Sequence, residues 1–286
     1  MPRPPKPKPP AKKSAPPPAV KTTKPKKNFT IQPWIGTTTG EKILAYAITK
    51  MGKTTLASLL PDAAFIGADD GGRKIKHPVT GADLNYVPGI ESFQDVRDAL
   101  HSNVFDSCQN IVVDTITEIE QWSLQHTLDT ISRPKSQGGG KASNVHDYGY
   151  HEGFVHWCNT TCLLLPDFDR WVRKGKNIII LAQETTLKWK TSGPEDFLMA
   201  GPNLHHSRTA SAVLPYIQWS DHVFRIAYAN TIVENGRVNP VNERAIFTKP
   251  DATFFAGSRT IPAEYDVVTF NEPKDDSIWR LLFGGN

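Results

Sequence analysis

Cysteine is scarce in this sequence, and long hydrophobic runs are missing from it. Cys108, Cys158 and Cys162 are the only cysteines among 286 residues. They are too few for a paired framework, which excludes a small disulfide-stabilised secreted domain. No apolar run approaches the roughly 18 residues of a membrane-spanning helix, and the chain does not begin with the apolar core of a secretory signal. We therefore expect a cytoplasmic protein with no membrane partner.

Acidic residues are absent from the first 28 residues, and large apolar residues are almost absent. This segment instead holds ten prolines and nine lysines or arginines. With so little apolar surface to bury, residues 1–28 are predicted to be disordered, partly as polyproline II. Removing these nine charges from the net charge of +4 leaves about −5 on residues 29–286. Such a tail either binds polyanions loosely, with steep salt dependence, or serves only as a solubilising arm.

Beyond the tail, apolar runs of strand length alternate with segments of helical spacing. The predicted strands are residues 43–47, 63–68, 110–115 and 177–182, and the predicted helices are residues 56–60, 91–101, 117–131, 148–172 and 207–219. Pro166 is expected to kink or divide the fourth helix. Strands joined by crossover helices predict a mostly parallel sheet flanked by helices, which is an α/β fold.

The remaining segments complete this organisation. Polar loops are predicted at residues 132–144 and 185–206, and a hairpin joining residues 222–233 to 244–249 across residues 234–237 is predicted near the end. We expect one domain over residues 29–270, preceded by the basic tail and followed by a C-terminal tail at residues 271–286.

The most informative segment is residues 42–55, which reads as a strand, a loop ending Gly52-Lys53-Thr54-Thr55, and a helix start. This is the order of a P-loop, in which loop and helix N–H groups hold phosphates; a chance Gly-Lys-Thr-Thr in a loop is the alternative. Lys53 would reach the β- and γ-phosphates of ATP, and the Thr54 hydroxyl would ligate Mg²⁺. Ala47 replaces the first glycine of the motif, so its backbone must avoid positive φ, which costs an L-residue roughly 1–2 kcal/mol. The predicted nucleotide-binding residues are Ala47, Ile48, Thr49, Lys50, Met51, Gly52, Lys53, Thr54 and Thr55.

Polar side chains follow the other predicted strands at the edge where ligands bind in parallel sheets. Asp114 ends an Ile-Val-Val-Asp run and would support the Mg²⁺ shell beside Thr54. Asp70, or its neighbour Asp69, could orient or deprotonate the attacking water; a turn acid before two glycines is the alternative. Gln183 could sense the γ-phosphate, or simply be a polar strand end. The predicted catalytic residues are Asp70, Lys53 and Gln183.

The order of these features resembles the core of the RecA/Rad51 recombinase ATPases. It resembles still more the shorter phage-encoded RecA-like proteins that accompany or perform single-strand annealing. The shared patterns are Gly52 to Ala57, the strand leading to Asp70-Gly71-Gly72, Ile111 to Thr115, Leu181 to Glu184, and Ala256 to Arg259. The resemblance covers residues 40–265 and implies a RecA-like fold, in which Asp70 replaces the usual catalytic glutamate.

The same resemblance places single-stranded DNA on the two polar loops. The first loop carries three cations without an acid over residues 132–141, and the second sets an aromatic ring between two cations. Stacking surfaces beside phosphate contacts are what single strands need. Glu195 and Asp196 dilute the charge of the second loop, and packing of Trp189 on the protein core is the alternative. The predicted DNA-binding residues are Arg133, Lys135, Lys141, Lys188, Trp189 and Lys190.

The sequence thus predicts an ATPase that uses ATP and Mg²⁺, binds single-stranded DNA and promotes annealing or strand exchange in phage recombination. The resemblance implies a homo-oligomer (filament or ring), a phage annealing or single-strand-binding protein as partner, and location in the host cytoplasm. A motor or loader for replication or packaging is one alternative. A nucleotide-binding scaffold with little hydrolysis, which Ala47 and Asp70 would suit, is another.

Two further patterns are weaker. A group of possible zinc ligands lies within twelve residues: His151, His156, Cys158 and Cys162. On a helix, however, His156 points away from Cys158, and no C-x-x-C knuckle is present. A packed helix is therefore favoured over a zinc site. Arg259 could act as an arginine finger toward a neighbouring subunit, although an ordinary surface arginine is the simpler interpretation.

Overall fold

A computed structural model describes most of the chain beyond residue 38. The described residues are 39–68, 72, 74–190, 196–229, 231–234, 237–240 and 243–284. They belong to one compact unit, which spans residues 36–286. No helix within these ranges is long and apolar enough to cross a membrane. The basic segment 1–28 lies outside them.

Strands and helices alternate through the first two thirds of this unit, and strands dominate the last third. The strands are β1 (Lys42–Ala47), β2 (Ala63–Gly67), β3 (Asn110–Asp114), β4 (Asn177–Lys190), β5 (Asp196–Pro202), β6 (His222–Tyr228), β7 (Thr231–Glu234), β8 (Arg237–Pro240), β9 (Arg244–Phe247), β10 (Gly257–Ser258) and β11 (Val267–Phe270). The α-helices are α1 (Lys53–Ser58), α2 (Phe93–His101), α3 (Ile116–Thr130), α4 (Glu152–Thr161), α5 (Leu164–Val172), α6 (Val213–Trp219) and α7 (Ser277–Phe283).

The main sheet has the strand order β11-β9-β6-β1-β4-β3-β2. Its five strands from β6 to β2 run parallel. The edge strands β9 and β11 are antiparallel to their neighbours, as are β5 on β4 and β10 on β6. The predicted mostly parallel central sheet is therefore confirmed. The predicted pairing of the last strands is found between β6 and β9, while β7 and β8 form a separate antiparallel pair around residues 235–236, which lie outside the described part.

Helices cover both faces of the parallel sheet, and this explains why its strands are apolar throughout. Ile111 and Val113 of β3 pack in a core with residues of α2 to α6, whereas Val112 packs on the opposite face with residues of α1 and α7. All three side chains are fully buried. A strand buried on both faces appears in the sequence as a continuous apolar run, which is the pattern that predicted β1, β2, β3 and β4.

The prediction of a loop over residues 185–206 is wrong. β4 does not end near Gln183 but continues to Lys190 and pairs antiparallel with β5. Leu187 and Met199 are register partners in this hairpin and both are buried, whereas Lys188 is exposed. A strand with one buried face alternates apolar and polar residues, and the polar half gave this segment the composition of a loop.

The predicted helices are found with two changes: the last of them begins later than predicted, and one further helix was not predicted. The long helix over residues 148–172 is divided as expected, since α4 ends at Thr161 and α5 begins at Leu164. Pro166 lies in the first turn of α5, where its missing N–H removes no intrahelical hydrogen bond. The helix predicted from residue 207 begins only at Val213.

The second change is α7, which was not predicted within residues 271–286. Its Trp279 is buried against the P-loop helix, and the indole N–H donates a hydrogen bond to the Leu56 carbonyl over 2.7 Å. This contact fixes α7 on the same face of the sheet as α1.

Candidate nucleotide-binding site

The phosphate loop lies at the carboxyl edge of the sheet, between β1 and α1. Ala47 is the last residue of β1, is fully buried and pairs in register with Gln183 of β4. Its strand conformation is the ordinary backbone that an alanine requires at this position. Left-handed backbone occurs later in the loop, at Lys50 (φ 69°) and Gly52 (φ 93°). Of the predicted loop residues, Ile48, Thr49 and Lys50 are exposed, Met51 and Lys53 are buried, and Gly52, Thr54 and Thr55 are half-buried.

Lys53 is held against its own loop. Its Nζ donates hydrogen bonds to the carbonyls of Ala47 (2.9 Å) and Ile48 (3.2 Å) and to Oε1 of Gln183 (3.1 Å). These acceptors are neutral, and an ammonium forms stronger, charge-assisted hydrogen bonds with phosphate oxygens. The side chain is thus placed at the loop mouth, where a nucleotide phosphate can replace the carbonyls as its acceptor.

Thr54 and Asp114 meet although 60 residues separate them in the chain. The Thr54 hydroxyl donates a 2.6 Å hydrogen bond to Oδ2 of Asp114. Asp114 ends β3 and is only 6% exposed, and the peptide bond that follows it is cis. A hydroxyl and a carboxylate are hard oxygen donors of the kind Mg²⁺ takes when water and substrate phosphates complete its octahedron. The donor pair therefore fits Mg²⁺.

Gln183 connects this site to the hairpin. Its Oε1 accepts hydrogen bonds from Lys53 and, over 3.3 Å, from the Thr49 hydroxyl. Its backbone N–H donates to the Thr117 hydroxyl over 3.0 Å, and its carbonyl accepts the N–H of Asn203 over 2.7 Å. A side chain that contacts the loop therefore lies on the same strand as the hairpin β4–β5.

The position of the predicted catalytic base lies outside the described residues, because neither Asp69 nor Asp70 is among them. A cavity of about 590 Å³ adjoins Asp114. Its lining includes Gly67 at the end of β2 and Trp122 of α3. The cavity leaves room for solvent or ligand at the β2–β3 end of the site.

The first predicted DNA loop is closed and partly neutralised. The backbone N–H of Arg133 donates to the Gly140 carbonyl over 2.8 Å. Lys141 pairs with Asp129 over 2.6 Å, whereas Lys135 is exposed and Arg133 is half-buried. Asp129 belongs to α3, so counting charges within the loop alone missed it.

The second predicted DNA segment is a packed hairpin. The Trp189 ring stacks on His206, with centroids 5.2 Å apart and planes 9° apart, and meets the Phe255 ring edge-on at 5.1 Å. One face of Trp189 is therefore covered by the protein, as the alternative interpretation held. Lys188 is exposed, and the side chain of Lys190 lies outside the described part.

The sequence did not identify an ion pair at the same sheet edge. Arg225 of β6 binds the Glu184 carboxylate through two hydrogen bonds of 2.9 Å each. Such bidentate pairs fix geometry as well as charge. Glu184 follows Gln183, so the pair anchors the base of the hairpin to β6, and only the folded register reveals it.

The weaker candidates have ordinary surroundings. Burial raises the pKa of Cys158 to about 12 and that of Cys162 to about 11, which disfavours thiolate formation. Among the described residues, no three His, Cys, Asp or Glu side chains are arranged to hold a metal ion; this includes His151 and His156. Arg259 is exposed and pairs with Asp221 over 3.1 Å.

Comparisons with known proteins give a family and a similar solved structure. Residues 39–260 match a protein family described as "AAA domain". Among solved structures, the chain is similar to the one described as "Crystal structure of the RadB recombinase", with a TM-score of 0.44 and 13% sequence identity over 83% of this chain and 90% of that chain. None of the curated protein sequences matches the chain.

Proposed function

The chain belongs to the AAA domain family of nucleotide-binding ATPases, and we propose that it hydrolyses ATP with Mg²⁺ and couples this reaction to single-stranded DNA. In this proposal it promotes annealing or strand exchange in DNA recombination. The observation that carries the ATPase part is the convergence of Lys53, Thr54 and Asp114 at the end of β1 and β3. Three groups with distinct roles in phosphoryl transfer meet there.

The chemistry divides among these residues. Lys53 exchanges the carbonyls of its own loop for phosphate oxygens and balances their charge. Thr54 and Asp114 would hold Mg²⁺, which when bound neutralises charge on the β- and γ-phosphates. Gln183 is proposed to sense the γ-phosphate, and its contacts with Lys53 and Thr49 hold its amide beside the loop. Asp70 is proposed to position or deprotonate the attacking water.

The coupling to DNA is supported by the continuity of β4. One uninterrupted strand carries Gln183 at the loop and Lys188 in the hairpin. A change in the hydrogen bonds of Gln183 would therefore act on the base of the hairpin. We propose that single-stranded DNA contacts this hairpin and residues 132–141, and that oligomerisation brings several such surfaces onto one strand.

The test measures ATP hydrolysis by the purified chain at several Mg²⁺ concentrations, with and without single-stranded DNA. Lys53→Ala should abolish turnover, since Lys53 serves the phosphates; its melting temperature shows that the variant is folded although three hydrogen bonds of the loop are lost. Lys274→Ala is the matched control, because that lysine is exposed and pairs only with Glu272 in the described part. Unchanged turnover in Lys53→Ala would refute the ATPase assignment. ATP turnover that ignores single-stranded DNA would refute the coupling alone.

A further inference from the structure

Within the sheet, Arg244 and Asp114 approach the phosphate loop from opposite sides of β1. β1 lies between β4 and β6, and Asp114 on β3 lies beyond β4, whereas Arg244 on β9 lies beyond β6. Its Nη1 donates to the Met51 carbonyl over 3.3 Å. A Cβ added to Gly52 would lie 2.8 Å from the same Nη1. The guanidinium therefore rests directly on the loop, at the residue that precedes Lys53.

The surroundings of Arg244 leave most of its hydrogen-bonding capacity unused. The guanidinium lies over the ring of Phe270, with 4.7 Å from Cζ to the ring centroid. Phe270 is buried and is the register partner of Arg244 across β9 and β11. Five N–H groups are available on an arginine side chain. Within the described part of the chain, one long hydrogen bond to Met51 is the only one that the Arg244 side chain makes, and no carboxylate pairs with it.

A half-buried arginine without an acidic partner, placed on an aromatic ring, is prepared for an anion. Arginine binds phosphate in a bidentate manner, and such charge-assisted hydrogen bonds are about twice as strong as neutral ones. The β- and γ-phosphates are assigned to Lys53 and to Mg²⁺ on the β3–β4 side. The α-phosphate end of the chain can then extend toward the other side of the loop, where Arg244 lies.

We propose that Arg244 is a nucleotide-binding residue that contacts the α- and β-phosphates, shared by ADP and ATP. This inference rests on the proposed nucleotide site and adds to it a cation from a strand near the end of the domain. Gly52 supports the contact, because any side chain at that position would displace the guanidinium. The contact also makes β9 part of the site, although it is about 190 residues from the loop in sequence.

The test measures dissociation constants for ADP and ATP by isothermal titration calorimetry, at low and moderate salt. The variants are Arg244→Gln, which removes the charge, and Arg244→Lys, which keeps it. The matched control is Arg280→Gln, since Arg280 is 70% exposed on α7 and pairs with Asp276. Melting temperatures without nucleotide establish that each variant is folded.

Arg244→Gln is expected to weaken ADP and ATP by the same factor, roughly 10- to 100-fold, which is the loss of one hydrogen-bonded charge contact. Arg244→Lys should recover part of the affinity, and Arg244→Gln should flatten the salt dependence of binding. Unchanged affinity in Arg244→Gln would overturn the inference. A loss of affinity for ATP but not for ADP would also overturn it. So would an equal loss of affinity in Arg244→Lys and Arg244→Gln with the salt dependence of wild type, because Arg244 would then only support the loop. If the folded wild-type chain and Arg280→Gln bind neither nucleotide, the proposed function itself fails.

Discussion

Glu120 should make the stability of this protein fall as pH rises through neutrality. It lies on α3 and is 3% exposed, and its two carboxylate oxygens accept the backbone N–H of His205 over 2.8 and 3.1 Å. Burial raises the pKa of this carboxyl to about 7, against an opposing effect of the hydrogen bond from His205. After burial, the Glu120 charge also contributes to the raised pKa values of Cys158 on α4, of Cys162 just beyond that helix and of Tyr216 on α6.

The sign and the size follow from linkage. The folded pKa lies above the unfolded value of 4.5, so the folded state binds the proton more tightly. The stabilisation is complete below pH 4.5 and is lost as pH rises toward the folded pKa of about 7. At about 1.4 kcal/mol per pKa unit, ionisation of this carboxyl lowers the free energy of unfolding, relative to its protonated state, by about 3 kcal/mol at pH 8 and by about 1 kcal/mol at pH 5.

The perturbation is Glu120→Gln, which keeps an oxygen acceptor for His205 and carries no charge at any pH. Urea denaturation of wild type and variant at pH 5 and pH 8 gives the difference between their free energies of unfolding. We expect this difference to grow in favour of the variant by about 2 kcal/mol between the two pH values. Glu118→Gln is the control, because Glu118 is exposed on the same helix. If the two stability profiles of wild type and Glu120→Gln run parallel, Glu120 is ionised throughout and the reasoning is refuted.

Two further predictions concern the site and the hairpin. Asp114→Asn should weaken Mg²⁺-dependent ATP binding and turnover together, since the carboxylate supports the metal. Titrations of ATP at several Mg²⁺ concentrations check this. A Mg²⁺-dependent affinity equal to that of wild type would contradict it. Trp189→Ala should lower the free energy of unfolding by at least about 1 kcal/mol, because the ring packs on His206 and Phe255. Thr186→Ala should have less effect, because Thr186 is exposed on the same strand. Thermal melts of the two variants compare them directly, and equal stability would show that the ring stack contributes nothing.

The sequence was sufficient for the parallel core and the phosphate loop because both are local patterns. Apolar runs such as that ending in Asp114 mark strands buried on both faces, and Gly52-Lys53-Thr54 marks a loop by its order after one of them. The pairing of Thr54 with Asp114 then follows from the topology, since parallel strands present their carboxyl ends at one edge.

The hairpin and the charge partners were beyond sequence reasoning because they depend on contacts between distant segments. Trp189 sits between two lysines in sequence, which suggests a DNA-binding loop, yet its neighbours in space are His206 and Phe255. Lys141 has no acid within its own loop, yet it pairs with Asp129 from the preceding helix. No periodicity or motif in one segment reports a partner that another segment supplies.

The substitution at Ala47 shows how the fold resolves a departure from a motif. Glycine is favoured where the backbone takes positive φ, and in this loop that occurs at Lys50 and Gly52. Ala47 remains in the strand, paired with Gln183, and its methyl group is buried in the core beneath the loop. The missing glycine therefore gives no physical reason to expect weak nucleotide binding. We propose that the choice between an active ATPase and a nucleotide-binding scaffold then depends on Asp70, because an aspartate is one methylene shorter than a glutamate and its backbone must lie closer to the attacking water for its carboxylate to act as the general base.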